Sequence, residues 1–113
     1  MALAAQVATT FAEVGEIERA KFHLVLLDEY QDTSSSQLRL MQGLFNGGHP
    51  ITAVGDPHQA IYAWRGASSD TIGAFPLDFP DSEGAPAKVF TLSKSWRNDI
   101  SILNLANEIS APL

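Results

Sequence analysis

Two adjacent carboxylates, Asp28 and Glu29, follow the apolar run at 24–27, and Gln31 comes two residues later. Four apolar residues in a row suit a strand buried on both faces, as in parallel sheets covered by helices. Acids at the mouth of such a strand are costly to desolvate unless something neutralises them, and a hydrated Mg²⁺ on a nucleotide phosphate would do so. The plainer alternative is that the two acids open a solvated loop. Two further clusters carry chemical groups: 55–66, with Asp56, Gln59, Tyr62, Trp64 and Arg65, and 95–98, with Trp96 and Arg97. If each follows a strand of one open parallel sheet, all three face the crevice outside the carboxyl ends of the strands. Nucleoside triphosphate hydrolysis needs a carboxylate to hold Mg²⁺, a base, a polar sensor of the terminal phosphate and a cation for developing charge. Asp28, Glu29, Gln59 and Arg97 supply one of each.

The pattern around these residues predicts the elements that must hold them. Leu3, Val7, Phe11 and Val14 fall at helical spacing, with Gly15 as the stop, and a connector over 16–21 leads into a strand at 23–28. Ser34 with Gln37 three residues on reads as a capping box, Leu38, Met41 and Leu44 or Phe45 as a buried helical face, and Asn46-Gly47-Gly48 as its end. A second strand covers 51–54, stopped by Gly55-Asp56-Pro57. A short helix over 57–64 follows, with Pro57 in its first turn and Asp56 bonding the turn it sits in. A helical turn is expected at 70–75, a flexible surface loop at about 76–86 from its three prolines and Gly84, and a third strand at 88–92. Ile102, Leu105 or Ala106, and Ile109 mark a last amphipathic helix capped by Asn98 or Asp99. Strands alternating with helices make this an α/β chain with a mainly parallel sheet flanked by helices.

Composition narrows the partners. The 113 residues are 45% hydrophobic and 18% charged, enough to build a core. Seven Lys and Arg stand against 13 Asp and Glu, a net charge of −6, which argues against a generic basic nucleic-acid sleeve. Nucleic-acid contact would rest on a few placed aromatic and basic residues. The chain has no cysteine, so thiolate metal sites and disulfides are excluded. His23, His49 and His58 are scattered without metal-ligand spacing. No apolar stretch approaches the roughly 20 residues that span a bilayer, and the N-terminus lacks a signal-peptide layout. A cytoplasmic protein with no membrane partner is the expectation.

Val-Gly-Asp-Pro-His-Gln-Ala-Ile-Tyr-Ala-Trp-Arg-Gly-Ala at 54–67 resembles motif III of the UvrD/Rep family of superfamily 1 DNA helicases. Leu-Asp-Glu-Tyr-Gln-Asp-Thr at 27–33 resembles that family's motif II, and Leu-Ser-Lys-Ser-Trp-Arg at 92–97 its motif IV, although the family usually has Asn-Tyr-Arg where Ser95-Trp96-Arg97 stands. The resemblance implies a partial RecA-like (P-loop NTPase) domain and an ATP- and Mg²⁺-dependent enzyme moving on single-stranded DNA, serving repair or recombination. Asp28 would then hold Mg²⁺, with Glu29 beside the metal as activator of the attacking water. Gln31 would link nucleotide state to the next motif, and Gln59 would sense the terminal phosphate. Tyr62 and Trp64 would face DNA, where a stacked base is worth roughly 1–3 kcal/mol. Arg65 would tie that segment to the nucleotide carboxylates, Arg97 would act as an arginine finger, and Trp96 would stack on adenine. A γ-phosphate contact at Gln59 could move the ring of Trp64 five residues away on one helical segment. The plainer alternatives are core aromatics at Tyr62, Trp64 and Trp96 and a surface ion pair at Arg97.

The family's phosphate cradle, Gly-x-x-x-x-Gly-Lys-Ser/Thr, does not occur in these 113 residues, and neither do its motifs V and VI. The chain therefore reads as the C-terminal half of the first RecA-like motor domain, spanning 1–113, with the Walker A half and the second motor domain as its implied partners. Alone it is expected to hydrolyse no ATP at a useful rate and to tend toward self-association through uncovered apolar surface. The alternative is a non-catalytic DNA- or protein-binding module derived from a helicase. An unrelated α/β hydrolase would leave Gln59, Trp64 and Arg97 unexplained.

Overall fold

Strands β1 (Val25–Leu27) and β2 (Ile51–Ala53) pair in parallel, with Val25 opposite Ile51, Leu26 opposite Thr52 and Leu27 opposite Ala53. In the computed structural model, which describes residues 1–62 and 71–111, hydrogen bonding continues past both strand ends. Val25 N–H donates to the Pro50 carbonyl at 3.0 Å, Val54 N–H to Leu27 at 2.8 Å, and Tyr30 N–H to Val54 at 3.0 Å. A parallel pair needs a crossover, and helix α3 (Ser35–Phe45) supplies it. Its start is the expected capping box: Ser34 Oγ accepts the Gln37 N–H, while Ser34 N–H donates to Gln37 Oε1 at 2.9 Å. Past its Asn46 cap, Gly47 and Gly48 take φ of 69° and 80°, a left-handed turn that only glycine adopts cheaply.

The N-terminal helix is two helices, α1 (Ala2–Thr10) and α2 (Ala12–Lys21), broken at Phe11 in extended geometry. Thr9 Oγ1 bonds back to the carbonyls of Ala5 and Gln6, the competition with helix bonding that favours an end there. The expected stop at Gly15 is therefore corrected. Gly15 lies buried inside α2, where a Cβ would come 2.7 Å from Arg19 Nη1 and 3.0 Å from the Gly43 carbonyl. Its small size lets α2 approach α3, and the expected 16–21 connector is helix.

The core is aromatic. Tyr30, Phe75 and Phe79 are buried together, with Leu27, Leu38, Met41, Ile51, Ala53, Ile72 and Ala87 packed around them. Tyr30 and Phe75 meet edge to face at 5.2 Å, and Phe75 and Phe79 lie 5.0 Å apart. This cluster explains a second correction: the helical turn expected at 70–75 continues as α4 (Thr71–Asp78) into the stretch read as a loop, through Pro76. A proline inside a helix costs about 3 kcal/mol, and burying two phenylalanines returns roughly 3–6 kcal/mol. Burial wins, and Ala87 N–H donates to the Pro76 carbonyl at 3.0 Å. Asp81 organises the next turn by accepting the Glu83 and Ala85 N–H groups, both at 2.9 Å.

Two expectations about the sheet fail. Leu26 is 72% exposed, so β1 is covered on one face and not on both. The apolar run at 88–92 forms no strand: Val89, Phe90 and Leu92 are exposed, with no neighbouring strand to pair with among the described residues. Helix α5 (Ile100–Ser110) forms after Asp99, but Ile102, Leu105 and Ile109 on its apolar face are exposed. The described chain is thus a mixed fold of a two-stranded parallel sheet and five α-helices. No described helix is long and apolar enough to cross a membrane.

Candidate functional site

The site is built where β1 and β2 end side by side. After Leu27 the chain turns at once: Asp28 Oδ1 accepts the Glu29 N–H at 2.9 Å, and Glu29 takes left-handed geometry (φ 51°, ψ 41°). It is the one described non-glycine residue with positive φ, a conformation that costs of order 1 kcal/mol or more and often accompanies function. A 3₁₀ turn over Tyr30–Asp32 follows. The turn sends the Tyr30 ring into the core and brings Gln31, 1% exposed, beneath the Glu29 carboxylate.

Gln31 uses both ends of its amide. Its Nε2 donates to Glu29 Oε2 at 2.7 Å, and its Oε1 accepts the Asp56 N–H at 3.1 Å. The carboxylate following β1 is thereby joined to the turn following β2. Gly55 makes the space, because a Cβ there would stand 2.5 Å from Gln31 Oε1 and 2.8 Å from Ile72 Cδ1. Beyond it, Asp56 Oδ1 accepts the His58 N–H at 3.0 Å and Oδ2 accepts Gln59 Nε2 at 2.8 Å. The Gln59 bond, opposed by burial and aided by the His58 N–H and charge, holds the Asp56 carboxyl below its ordinary pKa. Asp32 Oδ1 accepts the Ile61 N–H at 3.3 Å, a second tie between the two turns.

The family of the UvrD/REP helicase N-terminal domain matches residues 2–80. The chain belongs to the UvrD/REP helicase family. Among its relatives are the ATP-dependent DNA helicases PcrA of Staphylococcus epidermidis, 39% identical over 97 residues, and of Staphylococcus aureus, 38% identical over the same length. In both cases the match covers 86% of this chain and 13% of the relative. The chain therefore spans about an eighth of these helicases.

Of the residues picked out in this UvrD/REP chain, the structure brings Asp28, Glu29, Gln31 and Gln59 into one neighbourhood. Tyr62 follows closely and is half-buried. Trp64 and Arg65 lie outside the described residues. So does the end of the helix expected at 57–64, whose described part is a 3₁₀ turn over Pro57–Gln59 that stops at Ala60. The single helical segment joining Gln59 to Trp64 is corrected to that extent. Trp96, 89% exposed, and Arg97 sit in an exposed segment, and Arg97 makes no ion pair among the described residues. They are not joined to the carboxylates.

The donor set suits one kind of metal. No three described His, Asp or Glu side chains are grouped to hold an ion by themselves. Asp28 and Glu29 offer exposed carboxylate oxygens at a strand end, which fits Mg²⁺ held by one or two carboxylates together with phosphate and water. A shallow cavity of about 290 Å³ between α1, α2 and α3, lined by Arg19 and Arg39, touches none of these residues. Gly55 and Asp32 are not among the site residues that the sequence suggests, and Asp56 is there as open to a turn role as to a chemical one. The signal for Asp56 was its place three residues before Gln59, within side-chain reach on a tight turn.

Proposed function

We propose that this chain works as part of the first, RecA-like motor domain of an ATP-dependent DNA helicase, with 27–33, 54–67 and 92–97 as motifs II, III and IV. The observation that carries the reading is the Gln31 amide, which bonds Glu29 on one side and the Asp56 backbone on the other. It couples a candidate base to a candidate phosphate sensor across neighbouring strands, as a nucleotide-driven motor requires. Asp28 would hold Mg²⁺ through its water shell, and bound Mg²⁺ would offset negative charge on the phosphates. Glu29, oriented by Gln31, takes the proton of the attacking water. Gln59 donates to the terminal phosphate, and Arg97 faces the charge that develops there. Trp96 stacks on the adenine. Arg65 links motif III to the carboxylates, and Tyr62 and Trp64 give single-stranded DNA a stacking surface that reads no sequence. The rest of the motor, with its phosphate cradle, completes the nucleotide site, and repair or recombination in the cytoplasm is the proposed setting.

The 113-residue chain should show no useful DNA-stimulated ATP turnover and should bind single-stranded DNA through Trp64. Robust turnover abolished by Glu29→Gln would overturn the first statement. Oligonucleotide binding left intact by Trp64→Ala, followed by anisotropy, would overturn the DNA assignment.

A further inference from the structure

Gln59 ends an exposed three-residue turn, and its amide is held by a carboxylate. Its Nε2 donates to Asp56 Oδ2 at 2.8 Å, while the other Asp56 oxygen accepts the His58 N–H. An ionised carboxylate only accepts, so it fixes which end of the amide faces it. The last torsion of a glutamine is otherwise broad and nearly two-fold, and an exposed amide would sample both orientations. We propose that Asp56 is a positioning residue: its carboxylate sets the orientation of the Gln59 amide and so which donor Gln59 presents to an anion. The same residue reaches the base, because the Asp56 N–H donates to Gln31 and Gln31 donates to Glu29. Four residues, Glu29, Gln31, Asp56 and Gln59, form one hydrogen-bonded chain across two turns. Among the described residues the titratable group beside Asp56 is His58 on its own turn, and Glu29 lies on the far side of Gln31.

That Gln59 meets an anion rests on the proposed nucleotide function. The Asp56 contact does not, and its test uses no nucleotide, so the two can fail separately. In the labelled 113-residue chain, carbon NMR follows the Asp56 carboxyl through its titration. Gln59→Ala should move the Asp56 midpoint upward, because the bond that most favours the charged form is gone. In the wild type the Gln59 side-chain N–H signals should shift as Asp56 is protonated, and Asp56→Asn should abolish that shift. A purely structural Asp56, bonding only the His58 N–H, would titrate alike in wild type and Gln59→Ala. An unmoved midpoint, with the Tyr30 and Phe75 signals still native, overturns the proposal. Should Asp56→Asn fail to fold, the comparison of wild type with Gln59→Ala decides by itself.

Discussion

Gly55→Ala tests the packing that holds the site together. The added Cβ would lie 2.5 Å from Gln31 Oε1, 2.8 Å from Ile72 Cδ1 and 3.2 Å from the Gln31 backbone nitrogen. Ile72 can swing its terminal methyl away, but the Gln31 amide is 1% exposed and bonded at both ends. It yields only by giving up the Glu29 or Asp56 contact. Overpacking of this kind costs about 1–3 kcal/mol. A buried polar group left unpaired costs about 1–3 kcal/mol, and the two overlap because relieving one causes the other. Against this, replacing glycine by alanine restricts the unfolded chain, worth about 0.4–1 kcal/mol, since Gly55 does not need positive φ. The balance is a loss of about 1.3 kcal/mol, roughly tenfold in the folding equilibrium. Urea unfolding of the two proteins, fitted with a common slope, would read it. Gly73→Ala in α4 is the matched control: a Cβ there meets nothing within 4 Å among the described residues, and removing glycine from a helix should stabilise by up to about 1 kcal/mol. A Gly55→Ala protein as stable as the wild type would refute the reasoning, since it would mean that the Gln31 bridge yields at no cost.

Two further outcomes follow from local contacts. Ser34→Ala removes the Oγ that accepts the Gln37 N–H, while the backbone N–H that donates to Gln37 Oε1 remains, and should cost about 1 kcal/mol in urea unfolding, with Ser34→Asp recovering most of it; equal stability of all three proteins would contradict the cap. The Tyr30 hydroxyl is buried with no hydrogen-bond partner among the described residues, and burial, then the nearby Asp78 charge, pushes its pKa from 10.0 up to about 12. The unfolded chain therefore releases this proton before the folded one does. Stability linked to it is whole below pH 10 and is lost as the pH rises toward 12, so stability should fall across that window. Tyr30→Phe should be neutral or slightly stabilising at pH 7 and should flatten the alkaline decline, measured by urea unfolding at a series of pH values.

What the sequence made legible was local. Ser34 and Gln37 announce a cap because both bonds form within four residues. The strands around Leu26 and Thr52 announce themselves by short apolar runs bounded by turn residues. The break at Phe11 was hidden because the apolar periodicity from Leu3 to Val14 continues across it. Gly15 misled because small size serves close packing as readily as it ends a helix. Pro76 misled because the burial of Phe75 and Phe79 is decided by distant partners, not by local propensity. At 88–92 the pattern is strand-like, yet a strand forms only by pairing. In the candidate site, Asp28, Glu29, Gln31 and Gln59 stand out in the sequence by type and order. The bonds joining them do not, because they depend on register: Leu27 opposite Ala53 is what brings Gln31, four residues on, against Asp56, three residues on.

That register also separates two kinds of site residue. Glu29, Gln31, Asp56 and Gln59 are held by partners inside the chain, so their side-chain entropy is spent in folding and the proposed ligand would meet them already oriented. Arg97 and Trp96 are exposed and follow an exposed segment containing Val89, Phe90 and Leu92. Ordering a free arginine costs up to about 2 kcal/mol, to be recovered from whatever it meets. If Arg97 neutralises phosphate charge as proposed, its contribution is drawn from ligand engagement, whereas that of Glu29 is drawn from the fold. Weakening the Gln31 bridge should then damage the orientation of the Glu29 carboxylate, the proposed base, before any ligand arrives, while Arg97→Ala should leave the free chain's stability unchanged.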